Sequence, residues 1–270
     1  MKDKKILFVN QETAPFNEEN PMSVLGRDLP SFIQGQGNEI RTFMPKWGTI
    51  NERRGQLHEV KRLSGMNLII DDTDHPLIIK VASVPVSRLQ VYFIDNDDFF
   101  KKRQLEKDEL GNLYPDNGQR AIFFARGVME TVKKLRWAPD IIYCQGWMSA
   151  VISVYAKVAY HDEPSFANTK IITSIFTESI TSDLGQNFKK SLIFKDVDEN
   201  LVNKYGDSIS FLELGKMAID YSDGVVEASN EINKELLKYV KDKKIPFMPY
   251  PGEDGLDAYS EFFDKIIGNE

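Results

Sequence analysis

The 270-residue sequence predicts an α/β fold, a doubly wound and mostly parallel sheet that carries a small antiparallel insertion. Short apolar, β-branched runs alternate with longer helical patterns, the signal for βαβ units. Most of those runs are continuously apolar, as strands covered on both faces must be. Between about residues 64 and 95 strand follows strand with no helix between, which marks the insertion.

The elements can be taken in order. Ile6–Val9 is the first strand. A helix follows and closes at Gly35-Gln36-Gly37. That triplet reads as a C-cap with a left-handed glycine, because no third glycine follows and a strand, not a helix, comes next. Ile40–Met44 is the second strand. Met66–Ile70, Leu77–Val84 and Val91–Ile94 form a meander, with 71–76 as the turn between the first two, since Asp and Pro favour turns. Across 119–136, Ile122, Ala125, Met129, Val132 and Leu135 share one helical face. That helix stops at Ala138-Pro139, because the residue before proline avoids α geometry. Further strands are Ile141–Cys144, Ile171–Phe176, Gly224–Val226 and Pro246–Met248. Helical stripes fall on Met148, Ile152, Tyr155 and Ala159; on Ile232, Leu236 and Tyr239, with Ser229 as N-cap; and on Leu256, Tyr259, Phe263 and Ile266. No Pro/Gly/Ser linker divides the chain, so it reads as one domain over 1–270.

Lys and Arg number 34 against 41 Asp and Glu, a net charge of −7 that argues against nucleic acid as a partner. No apolar run is long enough for a signal peptide or a bilayer span, so no membrane partner is expected. One cysteine, Cys144, excludes a disulfide framework and fits a reducing, cytoplasmic location.

Several clusters bear chemistry in principle. Asp71, Asp72, Asp74 and His75 are either a ligand set for a metal or a solvated hairpin tip. Asp95-Asn96-Asp97-Asp98 lacks the glycine and distal glutamate of a calcium loop. His58, His75 and His161 show no metal-ligand spacing and read as surface or capping residues. No metal or cofactor is called. Loops after parallel strands are the usual ligand sites, which singles out Asn10–Asn20, Gln145-Gly146-Trp147 and Thr177–Ser182. Trp147 either stacks on a sugar face or packs at the start of its helix. Asp116 or Asn117 is either the N-cap of the long helix or a hydroxyl-binding group.

Taken together, these segments resemble the N-terminal half of ADP-glucose-dependent glycogen and starch synthases. Lys5 to Phe16 is similar to that family's opening strand and its "SE-x-APF" loop, which brings in Glu12. Pro45-Lys46-Trp47-Gly48 resembles "P-x-[YW]-G", and Val91 to Asp95 with Phe99-Phe100 resembles "FLD…YF". Asp116-Asn117, Arg120 and Phe123-Phe124 resemble "DN-x-x-RF-x-x-F". Residues 220–233 resemble "AD-x-V-x-TVS", and Asp257 to Phe263 resembles the terminal helix that returns to the first domain, here 256–268. The stretch from Ile50 to Arg54 and on to Lys80–Ser83 is most similar to short synthase-like chains of Bacteroidetes.

The resemblance implies a three-layer α/β/α Rossmann-like domain, one half of a GT-B glycosyltransferase. It also implies retaining, metal-independent transfer of glucose from ADP-glucose to an α-1,4-glucan. The implied substrate-binding residues are Glu12, Asp116, Asn117, Arg120 and Trp147, with an α-glucan or sugar nucleotide as ligand. The sequence departs from the family where "KTGG" becomes Glu18-Glu19-Asn20-Pro21, putting an acid where the diphosphate needs a cation. "HDWH" becomes Gln145-Gly146-Trp147-Met148, and "T-x-HN" becomes Ser174-Ile175-Phe176-Thr177. No catalytic residue is therefore assigned. The expectation is a family member weak or inactive alone, lacking the donor-binding second domain unless a partner chain supplies one. The alternative is a non-catalytic glucan-binding or regulatory protein of glycogen metabolism.

Overall fold

The computed structural model describes residues 1–177 and 184–268. Its ten-stranded sheet has the order β10-β9-β8-β7-β1-β2-β6-β5-β3, with β4 pairing β5 off that path. Elements in chain order are β1 (Lys5–Asn10), α1 (Pro21–Gly35), β2 (Glu39–Pro45), β3 (His58–Glu59), β4 (Met66–Ile70), β5 (Thr73–Ser83), β6 (Gln90–Asp95), α2 (Asn117–Leu135) and β7 (Ile141–Gln145). They continue with α3 (Val151–Val154), β8 (Lys170–Ile175), α4 (Phe188–Ser191), α5 (Glu199–Asn203), α6 (Phe211–Asp220), β9 (Gly224–Glu227), α7 (Lys234–Lys243), β10 (Phe247–Met248) and α8 (Leu256–Ile267).

From β10 to β6 every neighbouring pair is parallel, while β5 runs antiparallel to β3, β4 and β6. The predicted mostly parallel sheet with an antiparallel insertion is what forms. Ile6 to Val9 are wholly buried because helices cover both faces. On one face α1 packs with α8, and on the other α2, α3, α6 and α7 pack in succession. α8 lies over the sheet centre, where Phe263 meets Phe8 at 6.3 Å and Tyr143 at 5.7 Å between ring centroids. It is tied down by Ser260 Oγ donating to Gln36 Oε1 (2.7 Å) and by the Met1 ammonium on Asp264 (2.8 Å).

The insertion is pinned by charge as well as by its ladder. Lys80 Nζ lies 2.8 Å from both Glu52 and Asp95, and Lys46 Nζ meets the same Glu52 at 2.8 Å. The two cations hold the Glu52 carboxyl below its usual pKa, against the opposing effect of burial.

Three local readings change. The turn at 71–76 contracts to Asp71-Asp72, both left-handed at φ 49° and 60°, and Thr73–Pro76 joins the ladder. Such a pair matches the strand twist in a tight hairpin, and Asp tolerates it. His75 is consequently not a surface residue. It is buried with its ring 4.5 Å from that of Phe99, and Nδ1 sits 3.0 Å from Asp98. α7 starts at Lys234 with Asn233 as N-cap, accepting from Glu235 N and Leu236 N, while Ser229 bonds Thr177 instead. The stripe from Met148 is a 3-10 turn at Trp147–Ser149, then α3, then a π turn at Tyr155–Ala159. The predicted glycine cap does form, with Gly37 at φ 91°.

α1 crosses the sheet so closely that a Cβ on Gly26 would sit 2.3 Å from the Glu12 carbonyl oxygen. Alanine is the better helix former by about 1 kcal/mol, so the two effects oppose. Gly26→Ala is expected to destabilise by roughly 1–3 kcal/mol through overpacking. Urea unfolding reads the sign, and a stabilised variant would show that α1 does not make this approach.

Candidate functional site

β1 and β7 are adjacent and parallel, in a register that sets Asn10 beside Gln145. Their following helices cross opposite faces, α1 toward β2 and α3 toward β8, so the two loops part and open a crevice at the strand carboxyl ends. Both strands close on amide side chains with no exposure, and these bind the departing loops. Asn10 Nδ2 donates to Thr13 Oγ1 (3.1 Å) and to the Gly26 carbonyl (2.9 Å). Gln145 Nε2 donates to the Met22 carbonyl (3.0 Å), and its Oε1 accepts from Glu12 N (3.4 Å). Gly146 takes φ 75°, and a Cβ there would press on Gln11 Oε1 at 2.6 Å, so the turn out of β7 requires glycine.

Glu12 is buried on this floor, and Asn20 Nδ2 donates to its Oε2 at 2.7 Å. Burial raises its pKa above the ordinary 4.5; the Asn20 bond opposes that rise, and the nearby Glu106 carboxylate adds to it. Asn20 also caps α1, its Oδ1 accepting from Ser23 N (2.9 Å) while Ser23 Oγ accepts from Asn20 N (3.0 Å). With Pro21 opening the helix, its first turn is closed by the chain's own groups. Glu18 is exposed beside it, and Glu19 pairs with Arg27 at 3.0 Å.

Asp116, Asn117 and Arg120 come together as one network around the segment 99–106. Arg120 has no exposed surface. Its Nε donates to the Phe99 carbonyl (2.9 Å) and Nη2 to the Gln104 carbonyl (2.8 Å). Nη1 donates to the Leu105 carbonyl and to Asn117 Oδ1. The rings of Trp47, Tyr114 and Phe100 lie 4.9–5.6 Å from its guanidinium carbon. Burial pushes its pKa down to about 10, with Arg103 contributing. Asn117 Nδ2 donates to the Glu106 carbonyl at 2.9 Å. Asp116 occupies the N-cap position of α2 without capping it, because both its oxygens take the Arg103 guanidinium, at 2.7 and 2.9 Å. Arg120 and Asn117 thus spend their polar atoms on shaping the wall that carries Glu106 toward Glu12.

Trp147 stands on the other side of the crevice, linked through Gln11, whose Oε1 accepts from Met148 N (3.3 Å). Its ring is enclosed, only 2% exposed, which closes both faces to stacking. Its Nε1 has no acceptor among the described residues. Of the loop Thr177–Ser182, residues from 178 onward lie outside the described residues. Asp71 of the acidic cluster accepts from Ser191 Oγ and Gln119 Nε2, and no group of three or more His, Cys, Asp or Glu among the described residues is placed to hold a metal.

The sequence places Asn10, Gln145 and Asn20 in candidate ligand loops without giving them these roles, and it does not single out Arg103 as part of the site. The signal for the first two was present: each is the amide that follows the buried runs Ile6–Val9 and Ile141–Cys144. Asn20 ahead of Pro21, with Ser23 three residues on, carried the signal of a helix cap; its bond to Glu12, and the pairing of Arg103 with Asp116, carried none, since those partners lie across loops.

Replacing Arg120 by Met removes every donor from the carbonyls of residues 99, 104 and 105. Buried groups left unsatisfied cost about 1–3 kcal/mol each, so a loss of at least roughly 3 kcal/mol is expected in denaturant unfolding. Glu12→Gln tests the buried carboxyl. Its raised folded pKa means the native state holds the proton more tightly, so wild-type stability falls as pH rises from the ordinary glutamate range through the folded pKa. The glutamine variant keeps an acceptor for Asn20 and is expected to lose that decline. Parallel pH profiles for the two proteins would refute the assignment.

Comparison with known proteins agrees with this geometry. Residues 5–246 match the family model for the starch synthase catalytic domain. Glycogen synthase from Chlorobaculum parvum is 31% identical over 239 residues, covering 86% of this chain and 47% of the relative. That from Chlorobaculum tepidum is 37% identical over 172 residues, covering 63% and 35%. The chain therefore spans about half the length of the curated relatives it matches. The solved catalytic domain of starch synthase IV from Arabidopsis thaliana, bound to ADP and acarbose, superposes with a TM-score of 0.73 at 18% identity. It covers 92% of this chain and 51% of that one, and shares its GT-B half-fold. No helix among the described residues is long and apolar enough to cross a membrane. This chain belongs to the family of starch synthase catalytic domains.

Proposed function

We propose that these 270 residues form a single glycogen/starch-synthase-type domain that recognises an α-glucan and does not by itself transfer glucose from ADP-glucose. The observation that carries this reading is the first turn of α1. In synthases the resemblance places a lysine and two glycines there, against the nucleotide diphosphate. This chain places Glu18, Asn20 and Pro21, with Asn20 already closing the helix and holding Glu12. An anionic ligand would meet the carboxylates of Glu18 and Glu12, while Glu19 is already paired with Arg27, so its Coulomb energy there is repulsive. A neutral sugar suffers no such penalty.

On this reading Glu12 accepts from a sugar hydroxyl at the crevice, and Trp147 packs within the wall beside it. Asp116, Asn117 and Arg120 hold the wall beside them. Transfer needs a closed, water-free cleft, and the complementary half would come from the same polypeptide or from a partner chain. The lone buried thiol of Cys144 suits a cytoplasmic setting. A second reading, a regulatory or scaffold role in glycogen metabolism, is favoured by Gln145, Met148 and Phe176 standing where synthases carry histidine or its motif neighbours.

Calorimetry with maltooligosaccharides, ADP and ADP-glucose, alongside an ADP-release assay with glycogen, separates these readings. Saturable glucan binding with silent ADP arms and no release is expected. ADP release from ADP-glucose would overturn the inactivity. A pull-down that captures a protein partner while glucan titrations stay flat would favour the scaffold.

A further inference from the structure

A second cleft, of about 550 Å³, lies where the start of α2 meets the segment leading into α4. Its volume is within the range of about 300–1,000 Å³ typical of small-molecule sites. Two glycines build it by letting these segments press together at one end. Gly118 N donates to the Leu184 carbonyl at 2.7 Å, and a Cβ on Gly118 would strike the Phe188 side chain at 2.4 Å. Gly185 takes φ 116°, and a Cβ there would lie 2.2 Å from the Pro115 carbonyl oxygen.

The lining has a consistent chemistry. Tyr114 and Pro115 form one wall; Gln119, Gln186 and Asn187 supply carboxamides; no described lining residue is charged. Gln119 Nε2 donates to Asp71 Oδ2 at 3.2 Å, which fixes the amide's orientation. Its Oε1 is buried and finds no donor among the described residues. A buried acceptor without a donor costs free energy unless a ligand or water meets it. Gln186 and Asn187 are exposed, Asn187 does not cap α4, and neither carboxamide has a partner among the described residues.

A phosphate or carboxylate ligand calls for Arg or Lys, which this lining lacks. Carboxamides present a donor and an acceptor side by side, matching a pair of neighbouring hydroxyls. We propose that this cleft is a subsite for a neutral oligosaccharide, with one sugar hydroxyl donating to Gln119 Oε1 and others bonding Gln186 and Asn187. The identity of the ligand as a neutral glucan rests on the reading above, but the residues are different ones.

The test is calorimetry with maltoheptaose on wild type, on Gln186→Ala/Asn187→Ala and on Glu12→Gln, each checked by thermal melting. The double variant changes two exposed side chains and should melt as wild type. Losing two hydrogen bonds is expected to weaken maltoheptaose binding about tenfold. Inorganic phosphate and glucose 1-phosphate should give no heat. Unchanged affinity in the double variant, or phosphate bound more tightly than maltoheptaose, overturns the subsite. If Glu12→Gln alone weakens binding, the subsite fails and the crevice reading stands. If the double variant alone weakens it, the subsite stands and the crevice placement fails. No maltoheptaose binding by wild type overturns both.

Discussion

Two neighbouring parallel strands that send their chains to opposite faces create a constraint at the centre of this sheet. Backbone groups at their ends lose ladder partners while still buried, and must be satisfied another way. Gln145 does this for the Glu12 amide just past β1, and the side-chain amides of Asn10 and Gln145 also donate to the Gly26 and Met22 carbonyls on α1. The helix is drawn down onto the strand ends, which is why Gly26 can carry no side chain there. The position of α1, and hence of Asn20 and Glu12, follows from that lock.

The opposite wall solves a harder problem. Arg120 is a buried cation that no carboxylate among the described residues hydrogen-bonds. Backbone carbonyls of residues 99, 104 and 105 and the faces of three aromatic rings compensate it. Desolvation still depresses its pKa, to about 10, which leaves it charged at neutral pH. A residue so committed acts through the segment it shapes. The two walls meet where Glu106 comes close enough to Glu12 to raise its pKa.

The crevice between them is acidic at the end of α1 where the family resemblance calls for a cation. Helix N-termini favour anions, but here Asn20 caps the Ser23 amide and holds the Glu12 carboxylate beside it.

The architecture was legible because parallel strands buried on both faces read as continuous apolar runs, and helices as stripes, with no need of tertiary detail. Ile6–Val9, Ile141–Cys144 and the face from Ile122 to Leu135 are of this kind. The loop motifs that carry the family likeness were also plain in the sequence. What a given polar side chain does was not. Glu12, Asp116, Asn117, Arg120 and Trp147 were all singled out as groups for a ligand. Only the fold decided that Arg120 and Asn117 turn inward, that Asp116 pairs with Arg103, and that Trp147 is enclosed. The same holds for His75, taken into the core by a two-residue turn, and for Gln119, whose unmet oxygen arises from segments far apart in the chain. Apolar burial is a property of local pattern, so the sequence determined the layers and the family. Hydrogen-bond partners and desolvation depend on which distant segments meet, and these only the tertiary structure decided.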